Sequence, residues 1–231
     1  VSSYLRVVLA ILEKDVRKEL RTKEIVSSMF VFAVLVLVVF NFTLALDETR
    51  ALELGPGILW TAFIFASTLG LNRSFAAERE NQSLSGLMLA PVDRSAIYFG
   101  KLLSNLLFIL AMEIFVLPLF VVFFNLNVWE VLPGSDLAWF GLVLVLGTLG
   151  YTALGTILAA VAANTTMRDV LLPMLLFSFA IPIIIAAAEA TRLLFDVDPL
   201  SDPGTWVTLL AGCTTSYLAV SWMVFEYVLE E

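Results

Sequence analysis

Glu113 is the one ionisable residue placed inside an otherwise apolar run, since no other charge falls between 102 and 129. A carboxyl group at mid-membrane depth costs roughly 2.5–3.5 kcal/mol on insertion scales, so it must face protein or water rather than lipid. Two roles fit it: a protonatable or substrate-contacting group, or a neutral glutamic acid hydrogen-bonded to a neighbouring helix. A second cluster, FAAERENQSLSGLMLAPVDRSAIYFGK at 75–101, offers recognition instead of reaction. It opens with Glu78, Arg79 and Glu80, passes through Ser83, and then sets Leu84, Leu87 and Met88 on one helical face. Pro91 stops that helix, because proline lacks an N–H and disfavours helical geometry in the residue before it. Rim charges set orientation and partner choice around an apolar contact. Residues 76–101 therefore read as a docking loop for a protein in the water phase, the bland alternative being a solvated connector.

The missing groups exclude more than the present ones admit. With no histidine, the commonest metal ligand and general base is absent, and no Ser-His or Cys-His pair can form. The one cysteine, Cys213, lies inside the last apolar run, so neither a disulfide nor a thiolate metal site is expected. A phosphate-cradling loop is missing too: Gly100-Lys101 is followed by Leu102, and Ser95 stands where the first glycine would be. No aspartate lies within an apolar run, which excludes an intramembrane aspartyl pair. The chain is expected to have no catalytic, cofactor-binding or metal-ligating residues and not to act as an enzyme alone.

The elements that must position these residues are membrane helices. Of 231 residues 60% are hydrophobic and only 15% charged, with mean hydropathy +0.96; a soluble domain carries about a quarter charged residues. The shortest stretches between charges are 19 residues, close to the ~20 helical residues needed to cross a ~30 Å core. They predict one transmembrane domain over 1–231, all-α, with spans at about 25–46, 54–74, 102–125, 137–163, 170–188 and 205–225. Six Lys and Arg fall in 1–24, four in 73–101 and one in 164–169, leaving only Arg50 and Arg192 elsewhere. That bias places both termini and the 76–101 loop in the cytoplasm. The net charge of −8 arises mostly in outer loops and calls for no basic partner or nucleic acid.

Residues 4–24 carry Leu5, Val8, Leu9, Leu12, Val16 and Leu20 on one helical face, with Lys14, Arg17, Lys18 and Arg21 mainly elsewhere. This predicts an interfacial helix with its apolar face in lipid and its cations near anionic headgroups. An ordinary juxtamembrane anchor is the simpler alternative. Gly55-Pro56-Gly57 is expected to open the second span as a turn. Ala62, Ala66 and Gly70 in that span recur every four residues, as do Gly155, Ala159 and Ala163 in the fourth, which also carries Gly147. Such stripes mark faces where helices approach closely. Trp60, Trp129, Trp139 and Trp206 are expected to form a belt at the outer interface.

Six spans without a motor of their own, and one conspicuous water-facing helix, suggest an energy-coupling permease. The residues add a resemblance. Gly55-Pro56-Gly57-Ile58-Leu59-Trp60, then Phe75-Ala76-Ala77-Glu78 through Ser83-Leu84 and Gly86-Leu87-Met88-Leu89-Ala90-Pro91, then Lys101, resemble the CcmB family. The likeness continues through Leu146-Gly147-Thr148, Gly155, Arg168 and Ile181-Pro182, and fades after about residue 190. That family is the haem exporter protein B of cytochrome c maturation. The resemblance implies an ABC-2 exporter type permease in the cell inner membrane, paired in two copies with two ATP-binding CcmA-like subunits, which carry the ATP and Mg. It further implies CcmC-like and CcmD-like membrane partners and a CcmE-like haem chaperone, released on ATP hydrolysis. Haem would be cargo rather than cofactor: the chain has no histidine for an axial ligand and no tryptophan-rich haem segment, so a coupling subunit is expected. Two copies would pack through small-residue spans, each inserting its 78–91 helix into an ATPase groove. An ABC-2 type permease for a drug, lipid or polysaccharide, and a motorless scaffold or channel, remain the alternatives.

Overall fold

A computed structural model of the chain describes residues 2–44, 48–80, 93–127, 132, 134–163, 165, 167–196 and 202–228. Seven helices account for nearly all of them: α1 (Ser2–Thr22), α2 (Glu24–Leu44), α3 (Glu48–Glu80), α4 (Arg94–Phe123), α5 (Ser135–Ala163), α6 (Arg168–Phe195) and α7 (Gly204–Val228). The last six are long and apolar enough to span a bilayer, so the molecule is an all-α, multi-pass membrane protein.

Contacts fix the direction of each helix. Gly70 of α3 lies against Met29 of α2, and Gly55 lies against Phe120 of α4. Phe140 at the start of α5 meets Phe195 at the end of α6, and Tyr98 at the start of α4 meets Phe225 at the end of α7. From α2 to α7 the helices therefore alternate up and down. Two of them are central because they are the most buried of the six spans: α5 packs on α3, α4, α6 and α7, and α3 packs on α2, α4, α5 and α6, whereas α4, which touches α1, α2, α3, α5 and α7, keeps an uncovered side. Uncovered apolar side chains such as Val31, Leu35, Phe115, Met174 and Trp222 sit on the outer helices. In water such a surface would aggregate, whereas for a helix bundle in a bilayer it is the lipid boundary.

Several boundaries differ from the sequence reading. The Gly55-Pro56-Gly57 segment is not a turn; Pro56 lies inside α3, which starts at Glu48. Proline forfeits one backbone hydrogen bond there, but burial of Ala51, Ile58 and Leu59 holds the helix across it, and membrane helices tolerate such a loss. Helix α4 begins at Arg94 rather than 102, capped by Asp93, whose side chain accepts from the Ser95 N–H at 3.0 Å. Helix α6 runs on past 188 to Phe195, because Ala190, Thr191, Leu194 and Phe195 are buried. Trp60 does not belong to an interfacial belt. It is 2% exposed, and its indole N–H donates to Thr191 Oγ1 at 3.0 Å inside the bundle. Trp139 is exposed, and Trp129 lies outside the described residues.

Candidate coupling site

The candidate docking segment is flanked by two continuous helices. With 33 residues α3 is about 50 Å long, and α4 with 30 residues is about 45 Å. Both exceed a ~30 Å hydrocarbon core, so each projects beyond it. Glu78, Arg79 and Glu80 belong to the last turns of α3. Ser83, Leu84, Leu87, Met88 and Pro91 lie outside the described residues. Of the 76–101 segment, 76–80 continue α3 and 94–101 begin α4, so the connection between the two rods is short.

Helix α1 is clamped along the projecting part of α4. The Tyr4 hydroxyl is 3.1 Å from Ser95 Oγ, which itself donates to Asp93 Oδ1 at 2.8 Å. Next, Ile11 lies against Gly100, where an added Cβ would come within 2.8 Å of the Ile11 Cβ. Only a glycine permits that approach. One residue on, the Lys101 ammonium donates to Asp15 Oδ2 at 2.7 Å, and both side chains are buried. Asp15 Oδ1 is also 3.2 Å from Lys14 Nζ. An uncompensated ammonium at the Lys101 position, which is 2% exposed, would cost several kcal/mol; the pairing is what lets a lysine sit in the helix.

The packed face of α1 therefore carries Tyr4, Ile11 and Asp15 against α4, with Val8 and Glu19 also buried, and it contains two carboxylates. The sequence reading expected one apolar face, in lipid. Leu5, Leu9 and Leu20 of that face are indeed uncovered by protein, but Val8 is buried. The helix thus has three faces: apolar and uncovered, mixed and packed, basic and exposed. It ends at Thr22, not 24, where Lys23 adopts φ +56°. A left-handed conformation costs a non-glycine residue roughly 1–2 kcal/mol. Glu19 offsets part of this by accepting the N–H groups of Val26 at 2.8 Å and Ile25 at 3.3 Å. Those are orphan donors of the first turn of α2, so a side chain from α1 caps the next helix.

Deeper in the bundle, polar pairs fix the register of α5 against its neighbours. Glu113 of α4 is 1% exposed and accepts from the Thr148 hydroxyl, 2.8 and 3.0 Å from its two carboxylate oxygens. On the same face of α4, Asn105 Nδ2 donates to Thr156 Oγ1 at 3.2 Å and the Tyr98 hydroxyl to the Ala153 carbonyl at 3.3 Å. Towards α3, the Tyr151 hydroxyl is 2.6 Å from Thr68 Oγ1 and donates to the Ile64 carbonyl at 3.1 Å. Each such bond between membrane helices contributes on average about 0.6 kcal/mol. Their joint effect is specificity, since a shift of α5 by one turn would break all of them.

The small-residue positions face helices of the same chain. Ala62, Ala66 and Ala159 are fully buried. A Cβ at Gly70 would overlap the Met29 thioether, one at Gly147 the Trp60 ring and one at Gly155 the Leu71 side chain. Ala163 ends α5. At Ala62, Ala66, Gly70, Gly147, Gly155 and Ala159 these faces are closed within one copy, against the expectation that a second copy packs on them. Sequence reasoning missed Asp15 and Thr148 as partners. A charged residue directly after a glycine at the start of a span was the available signal for the first, and a threonine inside an apolar run for the second.

Comparison with known proteins places this architecture. Heme exporter protein B of Rhodobacter capsulatus is 28% identical over 211 residues, covering 91% of this chain and 93% of its own length. The Paracoccus denitrificans protein of the same name is 28% identical over 212 residues, covering 92% and 93%. That of Pseudomonas aeruginosa is 24% identical over 202 residues, covering 87% and 88%. The model of the CcmB protein family matches residues 6–230, which takes in the α1 clamp, both rods of the loop and the three helices after it. A match of that extent shows that the chain belongs to the CcmB family.

Proposed function

We propose that this chain is the membrane subunit of a haem-export complex of cytochrome c maturation. It would couple ATP hydrolysis on a partner subunit to haem export or to release of a haem-loaded chaperone. Its partners are a CcmA-like ATPase, CcmC-like and CcmD-like membrane subunits and a CcmE-like chaperone, with two copies of this chain per complex. It lies in the cell inner membrane with both termini and the 81–92 connection in the cytoplasm. The observation that carries the coupling role is mechanical. Two rods of about 50 and 45 Å run without interruption from the docking loop to the opposite end of the bundle, and one of them, α3, is a central helix. A force at Glu78–Pro91 reaches the far side through packed helices, which switch between arrangements instead of deforming gradually.

In this reading Glu78, Arg79 and Glu80 orient the ATPase and Leu84, Leu87 and Met88 supply apolar contact, with Ser83 and Pro91 part of the same interface. The chain itself hydrolyses nothing; ATP and Mg belong to the partner, and haem is cargo. The test is a mild-detergent pull-down with subunits identified by mass, then haem delivery to the chaperone with and without ATP. Charge reversal at Glu78 and Glu80 is expected to reduce ATPase co-purification and ATP-dependent delivery together. Unchanged co-purification and delivery would show the loop to be a connector. A permease for a drug, lipid or polysaccharide predicts the ATPase without haem-handling proteins, and a motorless scaffold predicts neither.

A further inference from the structure

Where α1 gives way to α2, a groove of about 540 Å³ opens towards the lipid-facing surface. Its walls are Val16 and Leu20 of α1, Val26 and Phe30 of α2, and Leu107 and Phe115 of α4, with Lys23, Glu19 and Ser27 at one end. The volume lies in the ~300–1,000 Å³ range of small-molecule sites. One end is almost wholly hydrocarbon and the other carries charge. The charged end coincides with the start of the charge-free run at 25–46, which is the depth of phospholipid headgroups.

Two charges stand at that end, and only the cation is available. The Glu19 carboxylate is taken up by the N–H groups of Ile25 and Val26. Lys23 is exposed, and its backbone holds a left-handed conformation that glycine would adopt without strain. A long cation at the mouth of an apolar groove matches an amphiphile with a negative head and a hydrocarbon tail. We propose that this groove is a phospholipid site, with an acyl chain between α2 and α4 and the headgroup phosphate on the Lys23 ammonium. The bound lipid would fill the angle between the α1 clamp and the bundle, tying the interfacial helix to the inner leaflet. This inference rests on the membrane fold alone and not on the identity of the cargo.

The experiment is native mass spectrometry of the full-length chain in its complex, released from nanodiscs containing phosphatidylglycerol or phosphatidylcholine. Wild type is expected to retain phosphatidylglycerol through detergent exchange. Leu107→Trp, which fills the groove from an exposed position, should lower retention of both lipids at least fivefold. Ala111→Leu on the same wall serves if that variant fails to assemble. Lys23→Gln should weaken phosphatidylglycerol retention about fivefold, the worth of one interfacial cation, with Lys23→Glu weaker still. Retention unchanged in both the groove-filling and the Lys23 variants would overturn the proposal. So would a disulfide between copies through Leu107→Cys in a Cys213→Ala background, since a second copy would then cover the groove.

Discussion

Removing either partner of the Asp15–Lys101 pair should release α1 from α4, but not by the same amount. Lys101 is buried with its ammonium 2.7 Å from Asp15. Asp15 has a second cation, the half-exposed Lys14, at 3.2 Å. In Asp15→Asn the buried lysine loses the anion that faces it. In Lys101→Met the carboxylate keeps Lys14 and the methionine fills the lysine's volume. Breaking a buried pair from one side costs about 3–5 kcal/mol, so Asp15→Asn should cost about 3 kcal/mol or more and Lys101→Met clearly less. The double variant Asp15→Leu with Lys101→Met should recover most of the loss, because an apolar pair of similar size avoids desolvation altogether. The assay is hydrogen exchange of α1 amides in nanodiscs, with deeper α5 amides as the internal reference. Since 1.4 kcal/mol is a factor of ten, 3 kcal/mol raises α1 opening roughly a hundredfold while α5 stays protected. Equal effects from the two single variants, or an additive double variant, would refute the claim that this pair is the clamp.

Gly100→Ala should loosen the same helix by about 1–3 kcal/mol, because the new methyl meets the Cβ of Ile11, which cannot swing aside; α1 protection equal to wild type in this variant would refute that close approach. Thr148→Val leaves the buried Glu113 without its Thr148 donor and should destabilise the bundle by about 1–3 kcal/mol. Glu113→Gln keeps an acceptor for that hydroxyl and should cost under about 1 kcal/mol, both read as thermal unfolding in detergent; a larger loss for Glu113→Gln than for Thr148→Val would refute the hydrogen-bond account. Trp60→Phe removes the N–H donated to Thr191 and should cost about 1 kcal/mol. Its fluorescence difference spectrum should be that of a buried indole, and a spectrum typical of an interfacial tryptophan would contradict its placement.

Hydrophobic length is a one-dimensional property, so the six spans could be read directly from the chain. The tract from Phe75 to Pro91 also pointed to the CcmB family, which the match over residues 6–230 now shows. Helix ends were less legible, because charge counts as a boundary in a hydropathy reading. Lys101 looked like the entrance to a span, yet it lies seven residues beyond Arg94, inside α4. Pro56 looked like a turn because local propensity penalises proline in a helix, and only packing on both sides of it shows that the penalty is outweighed.

By itself the sequence determined class, span number and family, since each depends on composition or on neighbours along the chain. Tertiary structure alone decided which face of α1 is covered, what neutralises Lys101, where Trp60 goes and which hydroxyl meets Glu113. Those partners stand 35 to 131 residues apart, and no periodicity along one helix records which residue of another will face it. Burial makes the pairing obligatory, because a polar group taken out of water must find a partner. Only the folded bundle chooses which one.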